Sequence, residues 1–383
     1  MRKQNQKILF IHPEANEYRK EFFNLLNENL DITFAFTGGH NWVEKIPEAK
    51  NWKYKNFKPY KFIGYQGEFA PVIFFELIKD YDIIVSSIIT SFPTHFSFLV
   101  AKMLGKKFVL FDELWMWPGT FLAKLALPYA KYIARHSDAI LAAGTKAKEY
   151  YVNKLGVCEE KVFICQNSAE DLSKQKISQE KFEEIKNTVK PNNELVVLYL
   201  SRVIELRNLD CLITAFGKLE KEFSSAKLVI GGDGDYLNRC KSLSNELNIK
   251  NILFLGKIHH NDIIYYYSLC DVFILPGKIM PESSVNVESW GLTLNEVMSL
   301  GKPVISTDSV GAAFDLIYNG VNGYRIKNNT VKEMTMVLDK MLKSNNLRQK
   351  MGMASLELIK NFTAQKQFES FVKCLQNVSN AQV

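Results

Sequence analysis

The chain has 383 residues, more than the roughly 250–300 that one hydrophobic core accommodates, so two domains are expected. At 47% hydrophobic, 23% charged and 12% aromatic residues it can bury sizeable cores, which excludes disordered, collagen-like and low-complexity classes. The formal charge of +7 suits an anionic partner without choosing among nucleic acid, lipid and a phosphorylated small molecule.

Short apolar runs alternate with segments of helical period, the signature of strand-helix-strand units on parallel sheets. The first half predicts strands at 7–11, 32–36, 83–86, 108–111, 139–142 and 162–165, with helices at 18–28, 94–104, 122–134 and 146–155. The most apolar stretch, 83–104, is broken by Pro93, His95 and Lys102 and falls short of the ~18–20 uninterrupted apolar residues of a membrane span. Arg2, Lys3 and Lys7 lead into a strand with no long apolar core or cleavage site after them, so no signal peptide is read and a cytoplasmic location is expected. Residues 170–193 turn polar, a linker carrying a polar helix. Strands return at 195–201, 227–230, 252–255, 272–275, 303–306 and 323–326, and helices at 331–342 and 363–376 close the chain. This layout predicts an α/β protein of two Rossmann-like, doubly wound parallel-sheet domains facing a cleft, residues 1–169 and 194–360, with the helix of 361–383 packing back on the first.

Six cysteines without a C-x-x-C pair suggest neither a disulfide framework nor a zinc site. Three N-x-S/T sequons, at Asn328, Asn361 and Asn377, read as chance matches. Two basic stretches interleave with aromatics: Lys50, Trp52, Lys53, Tyr54, Lys55, Phe57, Lys58, Tyr60 and Lys61, then Lys106 through Trp115, Trp117, Phe121, Lys124, Tyr129 and Lys131 to Arg135. Such segments can lie at an anionic membrane surface, but a solvated surface whose aromatics face the core is favoured. The lysines form no recognisable nucleic-acid motif, and no nucleic-acid partner is expected.

The first strand leads into His12-Pro13-Glu14, without G-x-G-x-x-G, and no P-loop follows elsewhere. In the second half, Arg202 and Arg207 follow the strand at 195–201 where a helix begins, an arrangement that suits an anion. Gly231-Gly232-Asp233-Gly234-Asp235 spaces two acids like a D-x-D metal motif, but a glycine turn with an Asp capping the next helix is the stronger reading. His259 and His260 are adjacent and make poor co-ligands. Glu288 precedes Ser289-Trp290-Gly291-Leu292-Thr293-Leu294-Asn295-Glu296, a helix start between two carboxylates. Gly291 lets a phosphate approach the amides while the carboxylates accept from hydroxyl groups; a hydrolytic carboxylate pair and a pair of surface glutamates are the competing readings.

The E-x7-E of Glu288 and Glu296, the W-G-L of 290–292, the G-K-P-V-I of 301–305 and the N-G-Y of 322–324 resemble the retaining family 4 glycosyltransferases of GT-B fold. Arg202 and Arg207, the G-G-D-G-D turn, F-L-G at 254–256, the aromatic helix 263–267 and D-V-F-I-L-P at 271–276 are similar to that family in order and spacing, and Gln166-Asn167 resembles its P-N-G-V-D. The resemblance implies metal-independent, retaining transfer of a sugar from a UDP- or GDP-linked donor to a lipid-linked or polysaccharide acceptor, with no cofactor, by an enzyme peripheral on the inner membrane face. It implies that residues 1–169 take the acceptor and 194–360 the donor. It places Arg202 and Arg207 on the diphosphate, Glu288 on the donor sugar and Glu296 on the ribose, with Gly232, Lys257, Ile258, Trp290, Gly291, Leu292 and Thr293 around the nucleotide sugar. Three departures stand out: Arg207-Asn208 replaces Lys-Gly, the first glycine loop is missing, and Asp112 and Glu113 stand where a histidine near the sugar is usual. Asp112 reads equally as a sugar-facing carboxylate or a helix-capping acid. A GT-B phosphorylase or hydrolase and a non-catalytic nucleotide-sugar-binding subunit are the alternatives.

Overall fold

Side chains alternate between the faces of a strand, so a run that is apolar throughout must be buried on both. In the computed structural model, which describes residues 6–14, 17–37, 51–57, 60–61, 68–69, 81–283, 285, 287–327 and 330–380, these runs form two parallel sheets. The chain divides into two units, Met1–Ala169 with Phe362–Val383, and Glu170–Asn361.

The first unit contains β1 (Lys7–His12), α1 (Lys20–Asn29), β2 (Asp31–Phe36), β3 (Tyr54–Asn56), β4 (Tyr60–Lys61), β5 (Glu68–Phe69), β6 (Ile83–Ser87), α2 (Phe92–Met103), β7 (Lys107–Asp112), α3 (Phe121–His136), β8 (Ala139–Ala142), α4 (Thr145–Asn153) and β9 (Val162–Ile164). Its parallel sheet runs β3-β2-β1-β6-β7-β8-β9, and β4 and β5 form a separate antiparallel pair. Ile8 pairs with Ile32 on one side and Ile83 on the other. Ile8 and Phe10 enter one core with Phe22, Phe23 and Leu26 of α1, while Leu9 and Ile11 enter a second beneath α2, α3 and α4.

The second unit contains α5 (Gln179–Val189), β10 (Leu195–Leu200), α6 (Leu209–Leu219), β11 (Ala226–Gly231), α7 (Leu237–Glu246), β12 (Ile252–Gly256), α8 (Ile263–Leu269), β13 (Val272–Leu275), α9 (Thr293–Met298), β14 (Val304–Thr307), α10 (Ala313–Leu316), β15 (Gly323–Ile326), α11 (Val331–Lys343) and α12 (Asn345–Ile359). Its sheet order is β12-β11-β10-β13-β14-β15. The strand order reverses at β1–β6 and at β10–β13, the switch points where doubly wound sheets open a crevice for ligands.

The last helix, α13 (Ala364–Asn380), belongs to the first unit. Phe368, Phe371, Leu375 and Val378 recur at helical spacing and join the core of Phe10 and Phe22, with Phe371 and Phe10 centroids 5.8 Å apart. Burying one such ring contributes about 1.5–3 kcal/mol, so four buried side chains outweigh the polar outer face.

Two findings depart from the sequence reading, and a third bears out the alternative it favoured. The helix expected from residue 18 starts at Lys20 after a 3-10 turn, Glu17–Arg19. The polar segment 170–193 is not a free linker: α5 packs on α8, Ser178 N–H donates to Tyr265 Oη (3.1 Å), Leu172 N–H donates to Ser299 Oγ (3.2 Å) and Lys190 pairs with Asp271 at 2.7 Å. In the first basic stretch, β3 is an edge strand whose flanking Trp52 and Phe57 are buried, so these rings serve the core rather than a lipid surface. Lys50 and Lys58 of that stretch, the side chains of Tyr60 and Lys61, and Asn328 lie outside the described residues. Among the described residues no helix is long and apolar enough to cross a membrane.

Candidate active site

The predicted donor-site residues gather at the carboxyl ends of β10 to β14. After β10 the chain passes exposed Arg202 and makes a 3-10 turn, Glu205–Arg207. Asn208 closes the turn in the left-handed region at φ 51°, where asparagine is the side chain that best replaces the family's glycine. The turn places Arg207 5% exposed, with Nη1 2.5 Å from Glu288 Oε2. This ion pair leaves Arg207 Nε and Nη1 buried without a well-formed hydrogen bond, which is costly for a guanidinium unless an anion completes the shell. Exposed Arg202 is not part of that pair; its carbonyl accepts from Tyr199 Oη (2.5 Å).

Glu288 is fixed by backbone rather than by a helix. Its N–H donates to Ser309 O (3.0 Å), its carbonyl accepts from Gly311 N–H (3.0 Å), and it bridges Val310 in parallel register. Trp290 then turns inward: it is 3% exposed and its Nε1 donates to Asn295 Oδ1 (2.9 Å). Its ring is therefore a wedge under the loop, leaving the backbone of Trp290 to face the switch point. Gly291 sits at φ 103°, and a Cβ there would come within 2.9 Å of both Leu275 and Val310. Leu292 and Thr293, half-buried, open α9, whose first turn has no side-chain cap, and Thr293 Oγ1 is buried without a hydrogen-bond partner.

One turn on, Glu296 Oε2 accepts from Tyr267 Oη (2.8 Å). Burial raises the Glu296 carboxyl above its ordinary range, and the Tyr267 hydrogen bond draws it back. The Tyr267 phenol is pushed well above its usual value, first by burial and then by the Glu296 charge. Tyr267, from the aromatic helix α8, has a role the motif alone did not reveal.

The loops after β11 and β12 complete this end of the sheet. Gly232 N–H donates to Gly256 O (2.7 Å), and Gly232 adopts φ 131° with its Cα so close to Ser201 that a Cβ would fall 1.8 Å from the carbonyl oxygen. Ile258, half-buried, lies over Gly231, while Lys257 is exposed. The expected aspartate cap is absent: α7 starts at Leu237 with no side-chain cap, and Asp233 Oδ1 accepts from Gly234 N–H (2.8 Å) within the turn. Lys278 ties the next loop to the arginine turn through Glu205 (2.7 Å) and Leu206 O (2.9 Å). Among the described residues, no three His, Cys, Asp or Glu side chains gather in a way that could hold a metal.

In the first unit, Asp112 at the end of β7 is 5% exposed and caps no helix; Thr120 caps α3 instead. Its carboxylate accepts from Tyr151 Oη (2.5 Å) and from the N–H groups of Glu113 (2.8 Å), Ile89 (3.2 Å) and Leu114 (3.3 Å). Burial pushes the carboxyl up to about 6 against the pull of these donors. Both oxygens are thus engaged inside the unit, where Asp112 pins the loops after β6 and β7, and the helix-capping reading is corrected. Its neighbour Glu113, partly exposed, accepts from Asn167 Nδ2 (2.8 Å) and pairs with buried Arg19. Asn167 also accepts from Gln367 of α13 (3.4 Å). Burial, then the nearby Arg19 charge, holds His12 well below its ordinary range, so it is neutral.

Two parallel sheets, the second with a buried arginine, two carboxylates and glycine-tight loops at its switch point, define the class: a two-unit protein of GT-B fold. Residues 180–357, within the second unit, match the family Glycosyl transferases group 1. The chain is 24% identical over 400 residues to an uncharacterised glycosyltransferase of Methanocaldococcus jannaschii, covering 97% of this chain and 95% of that one. Over 132 residues, 34% of this chain and 28% of the relative, it is 33% identical to the alpha-monoglucosyldiacylglycerol synthase of Streptococcus pneumoniae. Among solved structures, HepE of Anabaena in complex with UDP superposes with a TM-score of 0.77 at 16% identity, over 97% of this chain and all of that one.

Proposed function

We propose that this glycosyltransferase is a retaining, metal-independent enzyme that moves a sugar from a UDP- or GDP-linked donor to a lipid-linked or polysaccharide acceptor in cell-surface glycan synthesis, working at the cytoplasmic face of a membrane. The observation that carries the reading is Arg207, a buried guanidinium whose Nη1 is held by Glu288 at 2.5 Å and whose Nε lacks a hydrogen bond. When the glycosidic bond of the donor breaks, negative charge develops on the departing diphosphate, and a preorganised guanidinium stabilises that charge without reorganising at the moment of reaction. Arg202, exposed on the same loop, supplies a second cation. Glu288 takes a donor-sugar hydroxyl, Glu296 takes the ribose hydroxyls, and backbone at Lys257 and Ile258 meets the base. A diacylglycerol-linked sugar in one relative's name and UDP in a structural neighbour support a lipid acceptor and a nucleotide donor.

A thermal-shift and hydrolysis screen over UDP, GDP and their common sugar conjugates tests this. Stabilisation by one nucleotide and release of that diphosphate are expected, and Arg207→Ala should lower turnover about 10²-fold to 10³-fold. No shift with any nucleotide and no diphosphate release would remove the reading.

A further inference from the structure

The first unit carries an arginine–carboxylate pair of its own, built beyond the carboxyl ends of its strands. Arg19 comes from the 3-10 turn after β1, Glu113 directly follows β7, and Asn167 follows β9. Arg19 is 5% exposed, and its guanidinium lies over the rings of Tyr18 (5.2 Å) and Phe111 (5.5 Å), which fix its position. Its Nη1 donates to Asn167 Oδ1 (3.3 Å) and its Nη2 pairs with Glu113 Oε1. Asn167 Nδ2 donates to that same Glu113 oxygen (2.8 Å), while Asn167 Oδ1 also accepts from Gln367 Nε2 of α13 (3.4 Å). The backbone is tied as well, because Glu113 N–H donates to Asp112 Oδ1 (2.8 Å).

The two oxygens of the Glu113 carboxylate are used unequally. An arginine and a carboxylate commonly meet through two parallel hydrogen bonds, one to each oxygen. Here both donors converge on Oε1. Oε2 is open to solvent and accepts no hydrogen bond among the described residues, in a side chain 29% exposed. Fixing a glutamate in one rotamer costs side-chain entropy, yet Arg19, Asn167 and the Asp112 carboxylate together hold this one with an oxygen outward. Arg19 is always charged and already matches the single negative charge, so Oε2 suits a neutral donor, a hydroxyl group, better than a second cation. Among the described residues no three His, Cys, Asp or Glu side chains gather to hold a metal there.

We propose that Glu113 binds the attacking hydroxyl of the acceptor, Oε2 accepting its hydrogen bond while Arg19 and Asn167 hold the carboxylate in place. This rests on the proposed transfer from a UDP- or GDP-linked donor. Water is the smallest acceptor, so hydrolysis of the donor reports on this position whatever the natural acceptor is. The test measures nucleoside diphosphate release to water from UDP- and GDP-sugars by the full chain as wild type, Glu113→Gln and Arg19→Gln/Glu113→Gln, with melting temperature and nucleotide thermal shift followed alongside. In Glu113→Gln the carbonyl oxygen stays on the two donors and an NH2 group turns outward, so kcat should fall about 10-fold to 100-fold, the size of one hydrogen bond to a charged group. Donor KM and the nucleotide shift should stay at their wild-type values. The double variant removes the buried guanidinium charge that the single one leaves unpaired, so it should keep the wild-type fold and be equally slow. A carboxylate that only neutralises Arg19 gives the opposite result, recovery of the wild-type rate in the double variant. That recovery, or an unchanged kcat in a folded Glu113→Gln, would overturn the proposal. So would a raised donor KM with a lost nucleotide shift, which moves Glu113 to the donor, and so would a double variant that does not fold, which makes the network structural. Wild type that shifts with no nucleotide and releases no diphosphate would remove the transfer reading and this proposal together, a result read before any variant is compared.

Discussion

Replacing Asp112 with alanine separates a structural carboxylate from a catalytic one. The substitution strands the Tyr151 hydroxyl and three backbone N–H groups, and at about 1 kcal/mol for each lost hydrogen bond the first unit loses about 4 kcal/mol at pH 5. The loss depends on pH. Because the folded carboxyl is raised from 3.8 to about 6, its stabilising contribution is fully present below the unfolded value and is lost as pH rises through the folded one. Over the whole window that amounts to about 3 kcal/mol, of which about 1.4 kcal/mol falls between pH 5 and pH 8, so the variant's deficit shrinks to about 2.5 kcal/mol at pH 8. Urea unfolding at the two pH values measures this, read by tryptophan fluorescence, since Trp42, Trp52, Trp115 and Trp117 lie within residues 1–169 and only Trp290 lies beyond. An unchanged urea midpoint with turnover reduced a thousandfold would refute the reasoning and return Asp112 to the reacting sugar. A deficit equal at both pH values would refute the raised carboxyl.

Tyr267→Phe removes the hydrogen bond that holds Glu296 down, so its carboxyl should rise further and ionise only at higher pH. If the ionised carboxylate takes the ribose, nucleotide affinity increases with pH in the wild type, and calorimetric titrations should show that increase displaced upward in the variant. Asn208→Gly should leave the melting temperature unchanged or raised, whereas Asn208→Ala should cost about 1 kcal/mol, because alanine tolerates the left-handed region poorly. Gly232→Ala should abolish soluble expression or cost several kcal/mol, since the added methyl would overlap the Ser201 carbonyl; a normal melting curve would show that the loop relaxes freely.

The parallel strands were legible because both faces of each are buried, leaving runs such as Leu195–Leu200 with no polar interruption. The edge strand Tyr54–Asn56 was not, being three residues of mostly polar character with one neighbour. Helix α12 escaped notice because its inner face is Met351, Gly352 and Ser355 and not an apolar stripe; a Cβ on Gly352 would meet Gly301 O at 2.1 Å, so closeness, not hydrophobicity, sets its packing. At the site, residue types and order were readable, but the pairings were not. Arg207 and Glu288 stand 81 positions apart and meet only through the turn at Asn208 and the bridge to Val310. Asp112 and Glu113 are neighbours of like charge, yet one is sealed by Tyr151 and the other held partly exposed by Arg19, a difference that depends on residues from three other elements.

The return of α13 to the first unit sets an order on how the chain can be made. During synthesis, residues 1–169 emerge first, but the core around Phe10, Phe22 and Phe111 stays open on one side until Phe368, Phe371 and Leu375 follow almost two hundred residues later. The second unit, Glu170–Asn361, is contiguous and can close while the first still waits. A ribosome that stops short of residue 362 therefore releases a finished second unit attached to a first-unit sheet with one bare apolar face. Such a product would be a substrate for chaperones and proteases, not a slower enzyme.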